Sequence, residues 1–145
     1  MKRESKKEVE KTYLLDTSAV IAYLADEDGA DKVTDILNLS LHKRIPLFLS
    51  FMGLMELEYN YLRKGSPDVA KDVLLKLKAL PLEISFENDL SFIHRVAELK
   101  VKSNLSVADA WIAALASKLG ATLVHKDPEF ESLSNTINLL PLPYK

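Results

Sequence analysis

Residues 110–117, "AWIAALAS", place eight uncharged side chains in a row on what the spacing predicts to be one helix ending at Gly120. A helix without a polar stripe offers no face to water, so other elements must enclose it. That requirement excludes a lone amphipathic helix and demands layers of structure on either side. With 145 residues the chain is long enough to bury such a core as one domain. At the head of this apolar run stands Asp109, where a carboxylate without a partner is costly. Either the acid caps the helix or it faces a cavity that takes negative charge.

Short apolar runs alternate with helical ones along the rest of the chain. "TYLLD" (12–16), "IPLFLS" (45–50), "LEIS" (82–85), "ATLVH" (121–125) and "TINLLPLP" (136–143) read as strands. Helical spacing fills the intervals; Val33, Ile36, Leu37 and Leu41, for instance, form one stripe. "DPEFESL" (127–133) reads as a turn or short helix. This alternation predicts an α/β sandwich around a mostly parallel sheet, with right-handed crossovers. Residues 1–11, "MKRESKKEVEK", predict a charged, mobile tail, and residues 12–145 a single domain without repeats or linkers.

Composition removes several chemistries. The chain has no cysteine, which excludes disulfides, thiolate zinc sites and cysteine nucleophiles and fits a reducing cytoplasm. Nineteen basic against twenty-one acidic residues give a net charge of −2, so no global field draws in nucleic acid. The uncharged run "IPLFLSFMGLM" has eleven residues and a proline, too short to span a bilayer, and no membrane partner is expected. Glycines 29, 53, 65 and 120 form neither a Walker loop nor a dinucleotide fingerprint. Histidines 42, 94 and 125 are too scattered for a zinc motif.

Ligands of open parallel sheets sit beyond the carboxyl ends of the strands. Asp16 ends the first strand, and Asp127 lies two residues past "TLVH". Glu56 follows the second strand, and Asp109 opens the penultimate helix. All four are placed to converge on one edge, where they repel one another unless a hard divalent cation neutralises them. An all-oxygen donor set favours Mg²⁺ or Mn²⁺. Each acid also has a plainer reading. Asp109 follows Ser106 at capping-box spacing, Asp127 precedes Pro128, and Asp16 precedes Thr17 and Ser18. Glu56 reads equally as a solvated glutamate, although Gly53, one turn away, opens space over its face. Trp111 and the tyrosines are expected to pack the core; Val20, Ile21 and Leu24 fit either core or a dimer face.

"YLLDTSAVIAYL", "LSFMGLMELEYNYLRKG" and "LSVADAWIAALASKLGATLVHKDPEF" together resemble the successive motifs of a PIN domain, from Tyr13 to the C-terminus. Length and spacing are most similar to the VapC-like ribonuclease toxins of prokaryotic toxin–antitoxin pairs. The resemblance implies a three-layer α/β/α sandwich with a mostly parallel central sheet. It further implies metal-dependent hydrolysis of RNA phosphodiester bonds. On the matching positions, Asp16, Asp109 and Asp127 become ligands of Mg²⁺ or Mn²⁺, and Glu56 acts directly or through a bound water. Ser18 supports Asp16, and Glu129 occupies a neighbouring acidic position. Arg63, Lys118 and Lys126 are placed as RNA phosphate contacts. His125 departs from the threonine or serine common at its position. The implied partners are an RNA substrate, a second copy of the chain and a small antitoxin, all in the cytoplasm. A non-catalytic PIN-like RNA- or protein-binding scaffold and a housekeeping RNA-processing nuclease remain as alternatives. An aspartyl phosphatase needs a second aspartate two positions after the first, where this chain has Ser18.

Overall fold

Leu14 and Leu15, neighbours in the first strand, face opposite layers of the core, and both are buried. The alternation is that of any β-strand, but here each side is roofed by helices. In a computed structural model that describes residues 11–144, five strands form one sheet. They are β1 (Tyr13–Leu15), β2 (Leu47–Ser50), β3 (Glu83–Ser85), β4 (Thr122–His125) and β5 (Asn138–Pro141). Their order is β3-β2-β1-β4-β5, and every neighbouring pair is parallel. The expected mostly parallel sheet is therefore parallel throughout. Its central strand, β1, aligns Leu15 with Leu49 on one side and Val124 on the other. The predicted tail, except Lys11, lies outside the described residues.

One layer holds α1 (Thr17–Leu24), α2 (Ala30–Lys43), α3 (Phe51–Arg63) and α4 (Pro67–Lys78). Its core joins Leu15, Val33, Ile36, Leu49, Leu57 and Leu77. Val20 is buried in that core, and Ile21 and Leu24, partly buried, pack against it. The other layer holds α5 (Leu90–Val101), α6 (Val107–Leu119) and a 3-10 helix, Pro128–Leu133. Around Leu14 it gathers Phe92, Val96, Leu123 and Phe130. Within α6, Ala110 and every residue from Ile112 to Ala116 are buried, as a helix without a polar face requires. The chain is the three-layer α/β/α sandwich expected. The tyrosines depart from expectation, for Tyr13 is buried but Tyr59 is 53% exposed on α3. No helix among the described residues is long and apolar enough to cross a membrane.

Because all strands run the same way, their carboxyl ends share one edge of the sheet. Helices that leave this edge need their first N–H groups satisfied, and acids and hydroxyls at the strand ends do this. Asp16 caps α1, Ser50 caps α3 and Asp127 caps the 3-10 helix. The capping chemistry thereby concentrates carboxylates where a parallel sheet binds its ligands.

Candidate metal centre

Asp16 is only 3% exposed at the end of β1. Its N–H donates to the Val124 carbonyl at 2.9 Å, which pins it against β4. Oδ2 accepts from the Ser18 N–H at 3.0 Å and from the Ser18 hydroxyl. Ser18 Oγ in turn accepts the Lys126 N–H at 2.9 Å, tying this turn to the segment that carries Asp127. The expected supporting role of Ser18 thus has a concrete form. Oδ1 is buried without a hydrogen-bond partner among the described residues. Burial pushes the Asp16 carboxyl up to about 6 against the pull of Ser18, and the charges of Glu56 and Asp127 push the same way.

Glu56 reaches the site from α3. Its Oε1 accepts from Thr17 Oγ1 at 2.8 Å, and Gly53 makes that contact sterically feasible. A Cβ on Gly53 would stand 3.3 Å from Thr17 Oγ1 and 3.0 Å from Leu49 Cδ1. The space expected over the Glu56 face is therefore filled by the first turn of α1. Thr17 went unrecognised in the sequence as the holder of Glu56. Its only signal was a hydroxyl directly after Asp16, which capping explains equally well.

Asp109 is half-buried in the first turn of α6. The cap itself is Ser106, whose Oγ accepts the Asp109 N–H at 3.1 Å. Freed from capping, the Asp109 carboxyl is pushed up to about 7, first by burial and then by Asp16, Glu56 and Asp127, with Ser106 pulling down. Asp16 and Asp109 therefore both feel the charges of Glu56 and Asp127. Asp127 Oδ1 accepts the Glu129 N–H at 3.0 Å. One carboxylate oxygen each from Asp109, Asp127 and Glu129 lies within 4.8 Å of the other two. Glu129 accordingly stands in the acid cluster itself.

The basic residues are engaged elsewhere. Lys126 Nζ bonds Glu27 Oε1 at 3.3 Å and the Asp28 carbonyl at 2.9 Å, with its side chain 6% exposed. Lys118 pairs with Glu87 at 2.6 Å, nine residues beyond Asp109, or about 13 Å along the helix. Arg63 lies over the Tyr59 ring at 5.7 Å, two turns past Glu56, or about 10 Å. His125 is fully buried against Phe130, and its Nδ1 accepts the Asp127 N–H at 3.3 Å. Burial lowers its pKa, so it is a neutral prop for the Asp127 turn, out of reach of a phosphate. His94, on α5, faces outward beside Glu98.

A divalent cation fits these residues. Hard oxygen donors, a buried carboxylate oxygen without a proton donor, and two acids whose ionised forms are disfavoured all call for positive charge. Asp109, Asp127 and Glu129 have carboxylate oxygens close enough together to share an ion, while Asp16 and Glu56 stand outside that cluster, Asp16 with its unpartnered Oδ1 and Glu56 held by Thr17.

The chain belongs to the PIN domain family, whose model matches residues 13–135. Solved structures repeat the fold. A chain of VapBC2 from Rickettsia felis, bound to a DNA fragment from their promoter, aligns with a TM-score of 0.72 and 22% identity, covering 91% of this chain and 99% of that one. DNA-bound VapBC from Salmonella typhimurium gives 0.71 and 17%, covering 90% and 98%. PAE2754 from Pyrobaculum aerophilum gives 0.62 and 22%, covering 92% of both. No curated protein matches.

Proposed function

We propose that the protein is a Mg²⁺- or Mn²⁺-dependent ribonuclease and the toxin of a VapBC-type toxin–antitoxin pair. The observation that carries this reading is the gathering of Asp109, Asp127 and Glu129, one carboxylate oxygen each within 4.8 Å of the others, at the sheet edge where Asp16 holds a buried, unpartnered carboxylate oxygen. A bound Mg²⁺ or Mn²⁺ supplies Lewis-acid polarisation of the phosphate and acidifies water at the site. Asp16, Asp109 and Asp127 would hold that ion, with Glu129 beside Asp109 and Asp127. Glu56, steadied by Thr17, accepts a hydrogen bond from the attacking water and orients it towards phosphorus. Since water rather than the ribose attacks, the products are a 5′-phosphate and a 3′-hydroxyl. Lys126 is bound by Glu27 and Asp28 and is not poised on a phosphate.

The structural neighbours described as VapBC or toxin–antitoxin complexes support an antitoxin partner. For a homodimer the support is an exposed stripe on α3, Met55, Tyr59 and Leu62 at one-turn spacing. The deciding experiment is cleavage of end-labelled single-stranded RNAs with Mn²⁺, with Mg²⁺ and with EDTA, beside Asp16→Asn purified identically. Cleavage that needs metal and vanishes in the variant is expected. Equal behaviour of both proteins would favour the scaffold reading.

A further inference from the structure

Four aromatic rings form a continuous path from the second core layer to the surface. Phe92, 2% exposed, meets Trp111 edge-on at 5.8 Å, and Trp111 meets Phe51 edge-on at 5.7 Å. Phe51 then stacks on Phe86 at 6.0 Å with 24° between the rings. Trp111 is fixed further by its Nε1–H, which donates to the Glu87 carbonyl at 3.3 Å. Phe86 ends the path 66% exposed. One face of its ring is backed by Phe51, and the ring lies largely open to solvent.

Its place in the fold suggests what covers it. Ser85 aligns with Ser50 in the sheet, so Phe86 and Phe51 are the next residues past the carboxyl ends of β3 and β2. That is the edge on which the acids gather. Two strand spacings separate β3 from β1, which leads into Asp16, and three separate it from β4, which leads into Asp127, about 10 and 14 Å. Phe51 begins the helix that carries Glu56, and Trp111 lies two residues after Asp109 on α6. The elements that position the acids therefore also position the ring.

Resting on the nuclease reading, we propose that Phe86 is a stacking platform for a nucleobase of the single-stranded RNA substrate, a few nucleotides from the scissile phosphate. A stacked strand advances about 3.4 Å per nucleotide, so the base on Phe86 lies about three to four nucleotides from the acids, fewer if the strand is extended. Aromatic faces take any base, which gives affinity with little sequence preference. The net charge of −2 leaves the protein no general attraction for RNA, and a stacking contact makes up for that.

The test is steady-state cleavage of a short single-stranded RNA by the full chain carrying Phe86→Ala, Phe86→Leu or Phe86→Trp. A stacked base is worth about 5- to 150-fold on alanine substitution, so KM is expected to rise in that range for Phe86→Ala. Phe86→Leu, which keeps bulk but loses the π face, should rise with it, and Phe86→Trp should match the parent. An abasic residue at one RNA position should mimic Phe86→Ala in the parent and add nothing to the variant. Light scattering on each variant reads the oligomeric state. Wild-type KM in Phe86→Ala or Phe86→Leu, or a KM rise that follows loss of a dimer, overturns the platform. Asp16→Asn separates the two readings: if it abolishes cleavage while Phe86→Ala is unaffected, the nuclease stands and the platform falls. Cleavage indifferent to both Asp16→Asn and metal would remove the nuclease and the platform together.

Discussion

The two helical layers hold their acids by different means. In the α5–α6 layer, Asp109, Asp127 and Glu129 come from one stretch, residues 106–129, and are set by short-range bonds to Ser106, His125 and their own turn. In the α1–α4 layer, Glu56 is held by Thr17, thirty-nine positions away, where α1 and α3 meet closely at a glycine. Asp16 stands between them on the central strand and bonds to both sides. Half of the centre thus depends on local turns and the other half on helix docking, so the two halves should fail separately.

Hollowing the core tests this most severely. Leu14→Ala and Leu15→Ala should each cost about 2–5 kcal/mol, measured by urea unfolding. A loss below about 1 kcal/mol at either position would mean that its layer is not tightly packed against the sheet. Gly53→Ala strikes only the α1–α3 side, where Leu49 and Thr17 must give by a few tenths of an ångström; set against the helix-propensity gain of about 1 kcal/mol, the net cost should be at most about 2 kcal/mol. Cleavage should fall with it, while the pairing of Asp109 with Ser106 survives in amide spectra. If activity is unchanged, Glu56 does not need Thr17.

Charge removal acts on the shared centre in the opposite direction. Asp109 titrates near 7 in the folded protein against 3.8 for an unperturbed aspartate, so the folded state holds the extra proton in between. Its ionisation therefore opposes folding. Metal-free protein should lose stability as pH rises from 3.8 through about 7, and Asp16, pushed up to about 6, adds to the same trend. Asp109→Asn should flatten that profile. Asp109 is partly open to solvent, which trims the gain to about 1 kcal/mol, or about 3 °C in Tm of the metal-free protein. The variant should also lose stabilisation by Mn²⁺. A lower Tm with an intact Mn²⁺ response would assign Asp109 to structure alone.

Thr17→Val is the gentlest change. It removes the hydroxyl from Glu56 without altering volume much and should cost about 1 kcal/mol. Its informative readout is the Mn²⁺ concentration that gives half-maximal stabilisation, which should rise if Glu56 loosens. No movement there would place Glu56 outside the metal's influence.

Local order along the chain dictated a great deal here. The strand ends, the apolar α6 and the caps at Asp16, Ser106 and Asp127 follow from residues within three or four positions of each other, because backbone N–H groups at a helix start take the nearest oxygen. The four acids at the sheet's carboxyl edge follow as well, since a parallel sheet collects its strand ends on one side. Folding in three dimensions settled everything that needed distant partners. Only the docking of α3 on α1 shows that Gly53 serves Thr17. The turn after α1 shows that Lys126 is bound by Glu27 and Asp28, ninety-nine and ninety-eight positions earlier. The alignment of β2 with β3 shows that Phe86 stacks on Phe51. Such contacts depend on register and helix approach, which no window of neighbouring residues encodes.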